Sequence, residues 1–260
     1  NPSSAASDVY KRQQKQDEIQ NIYSTIGQEK SLSEIPFRSP HHSSSAVALL
    51  GGGIPLKPGE ISLAHGGVLF LDELPEFSRQ ILEGLREPME EGSISISRAQ
   101  EKQKFPADFM LIGALNPCPC GYHGTSKCKC SQYQVSRYLS KISGPILDRF
   151  DMALSFYPSD PDLLTTNGRE VKNTSKFIRE KLLKCKQKQV KGLQGYLDDI
   201  KPNTSCAMAF AEIQNQEEYS KRAQYKHLNV AHTIAMLENR ELQAIDLWET
   251  LEYRQFTFLK

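Results

Sequence analysis

The chain has 260 residues, 24% charged and 8% aromatic, with 32 Lys and Arg set against 31 Asp and Glu. Such a length buries a substantial core and allows one large domain or two smaller ones, while the net charge of +1 excludes a globally basic nucleic-acid binder, so any DNA contact must be local. There is no apolar run of about 18 residues and no charged-then-apolar leader, which argues for the cytosol over a membrane span or secretion; there, the six cysteines read as metal ligands or free thiols rather than disulfides.

In chain order, residues 1–16 are polar and lack periodicity, and they read as a non-native leader or an ordinary flexible terminus. From Asp17, the residues Ile19, Ile22, Tyr23 and Ile26 recur at helical spacing, with Gly27 placed to stop the helix. Between Pro36 and Gly66 the chain is rich in Gly, Pro, Ser and His. A helix fragment over Ser44–Leu50 followed by an ordered insert or hairpin is expected there, and His41 and His42 read either as metal ligands or, since they lack an acidic or cysteine neighbour in sequence, as structural or loop residues, the reading preferred.

The run Val68-Leu69-Phe70-Leu71 ends in Asp72-Glu73. An unbroken apolar run of this length reads as a fully buried parallel strand, and carboxylates at its carboxyl end lie where open α/β sheets place ligands. It looks like a Walker B strand, with Asp72 helping to hold Mg²⁺ on a nucleotide phosphate and Glu73 orienting the attacking water. The alternative is a core strand with a solvated acidic turn.

A helix opened by Ser78, with Ile81, Leu82, Leu85 and Met89 on one face, closes at Gly92, and the alternation Ser93-Ile94-Ser95-Ile96-Ser97 starts a hairpin. Arg98, Lys102 and Lys104 stand at its tip and return, on a solvated hairpin or on one that touches a polyanion. A second buried strand is expected over Phe109–Leu115, with Asn116 at its end either orienting water or reading a γ-phosphate, or serving as a turn residue before Pro117. Cys118-Pro119-Cys120 and Cys128-Lys129-Cys130 can supply four thiolates to a structural Zn²⁺ or remain free.

A helix over Tyr133–Lys141 and a third strand over Met152–Phe156 follow. Between them Arg149 is either an arginine finger for a neighbouring subunit or a partner of Asp148 or Asp151. A Pro-, Asp- and Thr-rich linker at 158–168 separates a core of residues 17–157 from a helical region of 169–260. That region opens on a Lys-rich run to Lys191, read as a solvated helix face rather than a DNA surface, and continues with helices over Glu217–Glu238 and Glu241–Phe256.

Four blocks, in this order, resemble one family: Pro36-Phe37-Arg38-Ser39-Pro40-His41-His42; Pro58 through Gly67 running into the acidic strand; Asn116-Pro117-Cys118-Pro119-Cys120-Gly121; and Ser143-Gly144-Pro145-Ile146-Leu147-Asp148-Arg149. It is the ComM/YifB group of magnesium-chelatase-like AAA+ ATPases, and the likeness runs from about Asp17 to Phe256. The resemblance implies an α/β fold, an AAA+ αβα core followed by a helical lid. It further implies ATP and Mg²⁺ as cofactors, Asp72 and Glu73 as Walker B, Asn116 as sensor 1, Arg149 as a finger acting across a homo-oligomeric ring of hexamer type, and Arg222 of Ser220-Lys221-Arg222-Ala223 as sensor 2. The hairpin carrying Arg98, Lys102 and Lys104 is then a pore-facing insertion that meets DNA, with branch migration during competence as the family activity and no small-molecule substrate besides nucleotide.

Two departures stand out. No G-x-x-x-x-G-K-[ST] string occurs, so the phosphate-cradling loop is missing from this chain, and His232 takes a place where the family commonly has Arg. The other functions weighed are a chelatase-type motor remodelling a protein partner and a zinc-stabilised nucleic-acid-binding module without ATPase activity.

Overall fold

The structure is a computed structural model that describes residues 2–28, 31, 34–98, 101–156, 175–185, 200, 204–216 and 220–254. They fall into two compact units, one up to Phe150 and one from Asp151. The expected linker at 158–168 lies outside the described residues. The first unit is α/β and the second is helical, the order of architectures that the resemblance implies.

The first unit opens with α1 (Pro2–Ser24). Its last turn is closed by Gly27 at φ 72°, a left-handed conformation that glycine adopts at little cost. The helix runs back through the stretch expected to be an unstructured leader, because adding a turn to an existing helix costs far less than nucleating one. It is tied down from Lys15 onward: Lys15 Nζ lies 2.7 Å from Asp108 Oδ2, and Ile22 and Tyr23 are buried against Leu63.

Then come β1 (Phe37–Arg38), α2 (Ala46–Leu50), a small hairpin of β2 (Gly51–Gly52) and β3 (Lys57–Pro58), α3 (Glu60–Leu63) and β4 (Val68–Leu71). The hairpin expected after the helix fragment is thus present, and Ser45 caps α2 by accepting from the Ala48 N–H at 3.1 Å. The helix expected after Ser78 forms as two short pieces, α4 (Arg79–Gly84) and α5 (Arg86–Glu91). Pro88 explains the break, since it offers no N–H to the turn behind it. The alternating segment pairs as β5 (Ser93–Arg98) with β6 (Glu101–Pro106) in an antiparallel hairpin, followed by β7 (Met110–Gly113), α6 (Gln132–Leu139) and α7 (Gly144–Leu147).

Strands β1, β4 and β7 form one parallel sheet in that order, with Phe37 opposite Val68 and Val68 opposite Met110. Gly67 makes the close approach to the chain before β1 possible, since a Cβ there would lie 1.8 Å from the Pro36 carbonyl oxygen. On one face Leu69 and Leu71 are completely buried in a core with Leu49, Ile61, Ile81, Leu82 and Ile146. The other face corrects the expectation of fully buried strands: Val68 and Phe70 are only half-buried, Met110 is 64% exposed and Ile112 39%. Helices pack on the face of Leu69 and Leu71, the other face is the more exposed of the two, and β7 is an edge strand of this sheet.

The second unit contains α8 (Ser175–Cys185), α9 (Ser205–Gln216), α10 (Lys221–Leu237) and α11 (Ala244–Glu252). Helix α9 was not expected from periodicity, yet its Ala209 and Ile213 join Leu228, Ala231 and Leu247 in the unit's core. The expected third strand, Met152–Phe156, is a correction: it has no strand conformation. No strand lies beside it among the described residues to complete a ladder, and Ala153 N–H donates instead to the Tyr253 carbonyl at 2.6 Å. No helix among the described residues is long and apolar enough to cross a membrane.

Candidate functional site

Three parallel strands place their carboxyl ends on one edge, and the residues just past those ends form the candidate site. Past β4, Asp72 Oδ1 accepts the Glu73 N–H at 2.9 Å. Glu73 then turns the chain in the left-handed region, φ 53° and ψ 47°, at the start of a 3₁₀ turn over Leu74–Glu76, a conformation that costs a non-glycine residue energy. The strand-end ladder is kept by Ala114 N–H to Leu71 O and Leu74 N–H to Ala114 O, both 2.9 Å. Asn116, exposed two residues beyond Ala114, therefore shares this edge. Its backbone N–H donates to the Tyr138 hydroxyl, which burial and the charges of Glu76 and Glu73 hold in the protonated form with a pKa pushed up to about 12.

From the end of β1 comes a residue that sequence reasoning assigned to a loop. His42 Nδ1 lies 3.0 Å from Glu73 Oε2, its ring 4.1 Å from that of His41 and edge-on to Phe77. No spacing in the sequence marked it: His42 follows a two-residue strand whose parallel pairing with β4 appears only in the fold. Both carboxylates stay accessible, Glu73 with 47% of its side chain exposed. Asp72's second oxygen has no partner among the described residues, which suits a hard divalent cation whose preferred donors are carboxylate oxygens and water.

Arg149 is buried, 7% exposed. It donates through Nη2 to Glu90 Oε1 and through Nη1 to the Pro145 carbonyl. The intramolecular carboxylate is thus Glu90, not the Asp148 or Asp151 weighed from sequence. Arg222 belongs to the second unit, exposed in the first turn of α10, which Ser220 caps through the Ala223 N–H at 3.2 Å. Asp151 pairs with Lys226 at 2.7 Å.

The hairpin brings Lys102 opposite Ser97 and Lys104 opposite Ser95, both lysines exposed. Lys104 lies 3.3 Å from Glu91 Oε2. The side chain of Arg98 lies outside the described residues. A cavity of about 630 Å³ beside this hairpin is lined by Lys15, Glu18, His65, Lys104 and Asp108, and none of the strand-end residues reaches it. In its wall, His65 Nδ1 accepts the Asp108 N–H at 3.0 Å and Nε2 faces Glu18 at 3.0 Å, an arrangement that fits the neutral ring. Burial lowers its pKa, outweighing Glu18.

The four cysteines of the 118–130 segment do meet. Sγ of Cys118 lies 3.4 Å from that of Cys120 and 3.9 Å from that of Cys128, and the Cys120 and Cys128 sulfurs are 3.7 Å apart. Cys118 is fully buried against Val135, Tyr138 and Leu139 of α6, whose start is fixed by a reciprocal cap between Ser131 and Gln134. Backbone N–H donation from Tyr122 and Lys129 draws the Cys120 thiol down to about 6.

Comparison with known proteins shows what the chain is similar to. A family model described as "Magnesium chelatase, subunit ChlI" matches residues 9–162. The chain is 44% identical over 229 residues to the competence protein ComM of Haemophilus influenzae, an overlap of 84% of this chain and 45% of that protein. It is 39% identical over 236 residues to the protein YifB of Escherichia coli, 87% and 46% of the two lengths. A shorter match, 31% over 107 residues, is to the probable DNA helicase MCM9 of Arabidopsis thaliana, with 40% of this chain and 15% of that protein covered. The chain spans about half the length of the two bacterial relatives.

Proposed function

The chain belongs to the magnesium chelatase subunit ChlI family, in its ComM/YifB group of AAA+ ATPases, and from that premise we propose that it is the carboxy-terminal part of an ATP-driven, Mg²⁺-dependent ring motor that acts on DNA. The observation that carries the reading is the convergence of Asp72, Glu73, His42 and Asn116 at the carboxyl ends of three parallel strands, where open α/β sheets bind ligands. Bound Mg²⁺ supplies neutralisation of the charge that develops on transferring phosphoryl oxygens. Asp72 would hold that cation through its carboxylate. Glu73 accepts a hydrogen bond from the attacking water and orients it, and the His42 contact sets the direction of its carboxylate. Asn116, its backbone held by Tyr138, senses the terminal phosphate from the neighbouring strand end.

As a finger acting across subunits, Arg149 has to exchange Glu90 for phosphate oxygens, so its bond to Glu90 is the resting state of the switch. Arg222 contacts nucleotide from the helical unit. DNA contact is assigned to Arg98, Lys102 and Lys104 of the hairpin, a reading supported by the helicase named among the relatives. The ring is a homo-oligomer of hexamer type. A second reading, a motor that remodels a protein partner, is favoured by the description of the family model.

Backbone amides and a lysine to hold the β- and γ-phosphates are needed for turnover, and this chain carries no G-x-x-x-x-G-K-[ST] string. The test is therefore ATP hydrolysis by the whole protein, with and without DNA. Activity lost in Glu73→Gln and stimulated by DNA is the expected result; a Glu73→Gln protein that turns over normally sinks the assignment, and stimulation by a protein partner but not by DNA selects the second reading. The 260-residue chain by itself is expected to hydrolyse ATP negligibly.

A further inference from the structure

Cys118, Cys120, Cys128 and Cys130 all place their sulfurs within 4.8 Å of one another. We propose that these four thiolates form a structural site for a single Zn²⁺, built into the loop that leads away from Asn116. A tetrahedral zinc ion with metal–sulfur bonds of about 2.3 Å sets its ligand sulfurs about 3.8 Å apart, and the three separations seen, 3.4, 3.7 and 3.9 Å, bracket that edge. The spread is too small for a two-iron cluster, whose ligand pairs sit on different metal atoms.

The local chain explains how the four meet. The first Cys-x-Cys pair sits in a turn closed by the Gly121 N–H to the Cys118 carbonyl at 3.0 Å, and backbone donors link the two pairs. The Tyr122 and Lys129 N–H groups donate to Cys120, the Cys120 N–H to Cys130, and the Cys130 N–H to Cys128. Backbone donors of this kind orient thiolate ligands and spread their charge. Lys127 and Lys129, exposed in the same loop, offset the net negative charge of a four-thiolate zinc centre. Cys118 adds the strongest demand for a cation, because it is completely buried against Val135, Tyr138 and Leu139, where an uncompensated thiolate is costly.

With all four coordination positions taken by sulfur, no place remains for a water or substrate. The ion's work is mechanical: it clamps the 118–130 segment onto α6, the helix whose Tyr138 holds the Asn116 backbone.

The experiment measures metal in the purified chain, prepared with reductant and without chelator. About one zinc per chain is expected, unchanged in Cys206→Ser, whose thiol sits in the other unit and donates to the Leu242 carbonyl at 3.5 Å. Loss of that zinc is expected in the Cys120→Ser, Cys128→Ser double variant. Because that variant can misfold for other reasons, the wild-type chain stripped of metal is also titrated with Co²⁺, which should give the intense absorption of tetrahedral cobalt thiolate. Zinc-free or iron-loaded wild type, zinc retained in the double variant, or cobalt bound without sulfur charge transfer each overturns the proposal.

Discussion

The two chemistry-bearing clusters of the first unit are built in opposite ways. The acidic edge draws His42, Asp72, Glu73 and Asn116 from three strand ends spread over 75 positions of chain, whereas the cysteine cluster draws all its sulfurs from the 13 residues of 118–130. The first exists only when the parallel ladder is in register. The second is nearly a property of its own segment, needing α6 only as a floor for Cys118. The lesson is that an exposed edge of carboxylates can depend on the whole core while a cluster of sulfurs with one buried member, Cys118, depends mainly on its own loop.

The largest effect should come from Gly67→Ala. Its Cβ would collide with the Pro36 carbonyl at 1.8 Å, forcing β1 away from β4, and a loss of about 4 kcal/mol or more is expected for a backbone clash of this sort. Denaturant unfolding should show that loss, while Co²⁺ binding by the cysteine loop outlasts it. If both clusters fail together, the contrast between them is wrong.

Next in size, Glu73→Gln in the whole protein should lower the ATPase rate about 10²–10⁴-fold, the usual range for removing a group that handles the attacking water's proton. Its stability should change by less than about 0.5 kcal/mol because the side chain is exposed. A large fall in melting temperature would mean that the edge is held by this carboxylate and not by the strands.

Acid should weaken the packing around two buried histidines that belong to neither cluster. Burial, followed by the charge of Arg254, lowers the pKa of His227 in the second unit to about 4, and burial lowers that of His65 in the first. Both rings are neutral when folded, so their contribution is complete above the unfolded histidine pKa of about 6.5 and is lost as pH falls from there toward the folded value. For His227 the loss between pH 7.5 and 5 should be about 2 kcal/mol, read as a falling melting temperature. A flat profile, or one removed by neither His65→Asn nor His227→Asn, would contradict it.

The smallest effect on stability should come from Lys104→Ala. Its ion pair with Glu91 is exposed at 3.3 Å and worth less than about 0.5 kcal/mol. If the hairpin touches DNA phosphates, the slope of log affinity against log salt should nevertheless drop by about 1. An unchanged slope removes Lys104 from the DNA surface.

Several local features were legible in the order of residues. Ser78 and Gly92 cap helices where the spacing placed caps, and the alternation from Ser93 makes a hairpin strand. Burial was less legible. The apolar run at Val68–Leu71 is half-covered, because which face of a parallel sheet is packed depends on where its helices lie and not on the strand's own composition. Helix α9 escaped notice because its small residues carry little apolar contrast, though Ala209 fits closely against α10 and α11.

What the sequence determined by itself was short-range. It set the type of most elements, the two carboxylates closing an apolar run, and four cysteines close enough along the chain to meet, since turns, caps and spacing act over a few covalent bonds. Tertiary structure alone decided that His42 turns to Glu73 and that Arg149 is held by Glu90, 59 residues away. It also decided that α1 is anchored through Lys15 and that Met152–Phe156 finds no ladder among the described residues. These outcomes turn on long-range hydrogen bonds and charge pairs whose partners become neighbours only when the chain packs, and no local spacing encodes that choice.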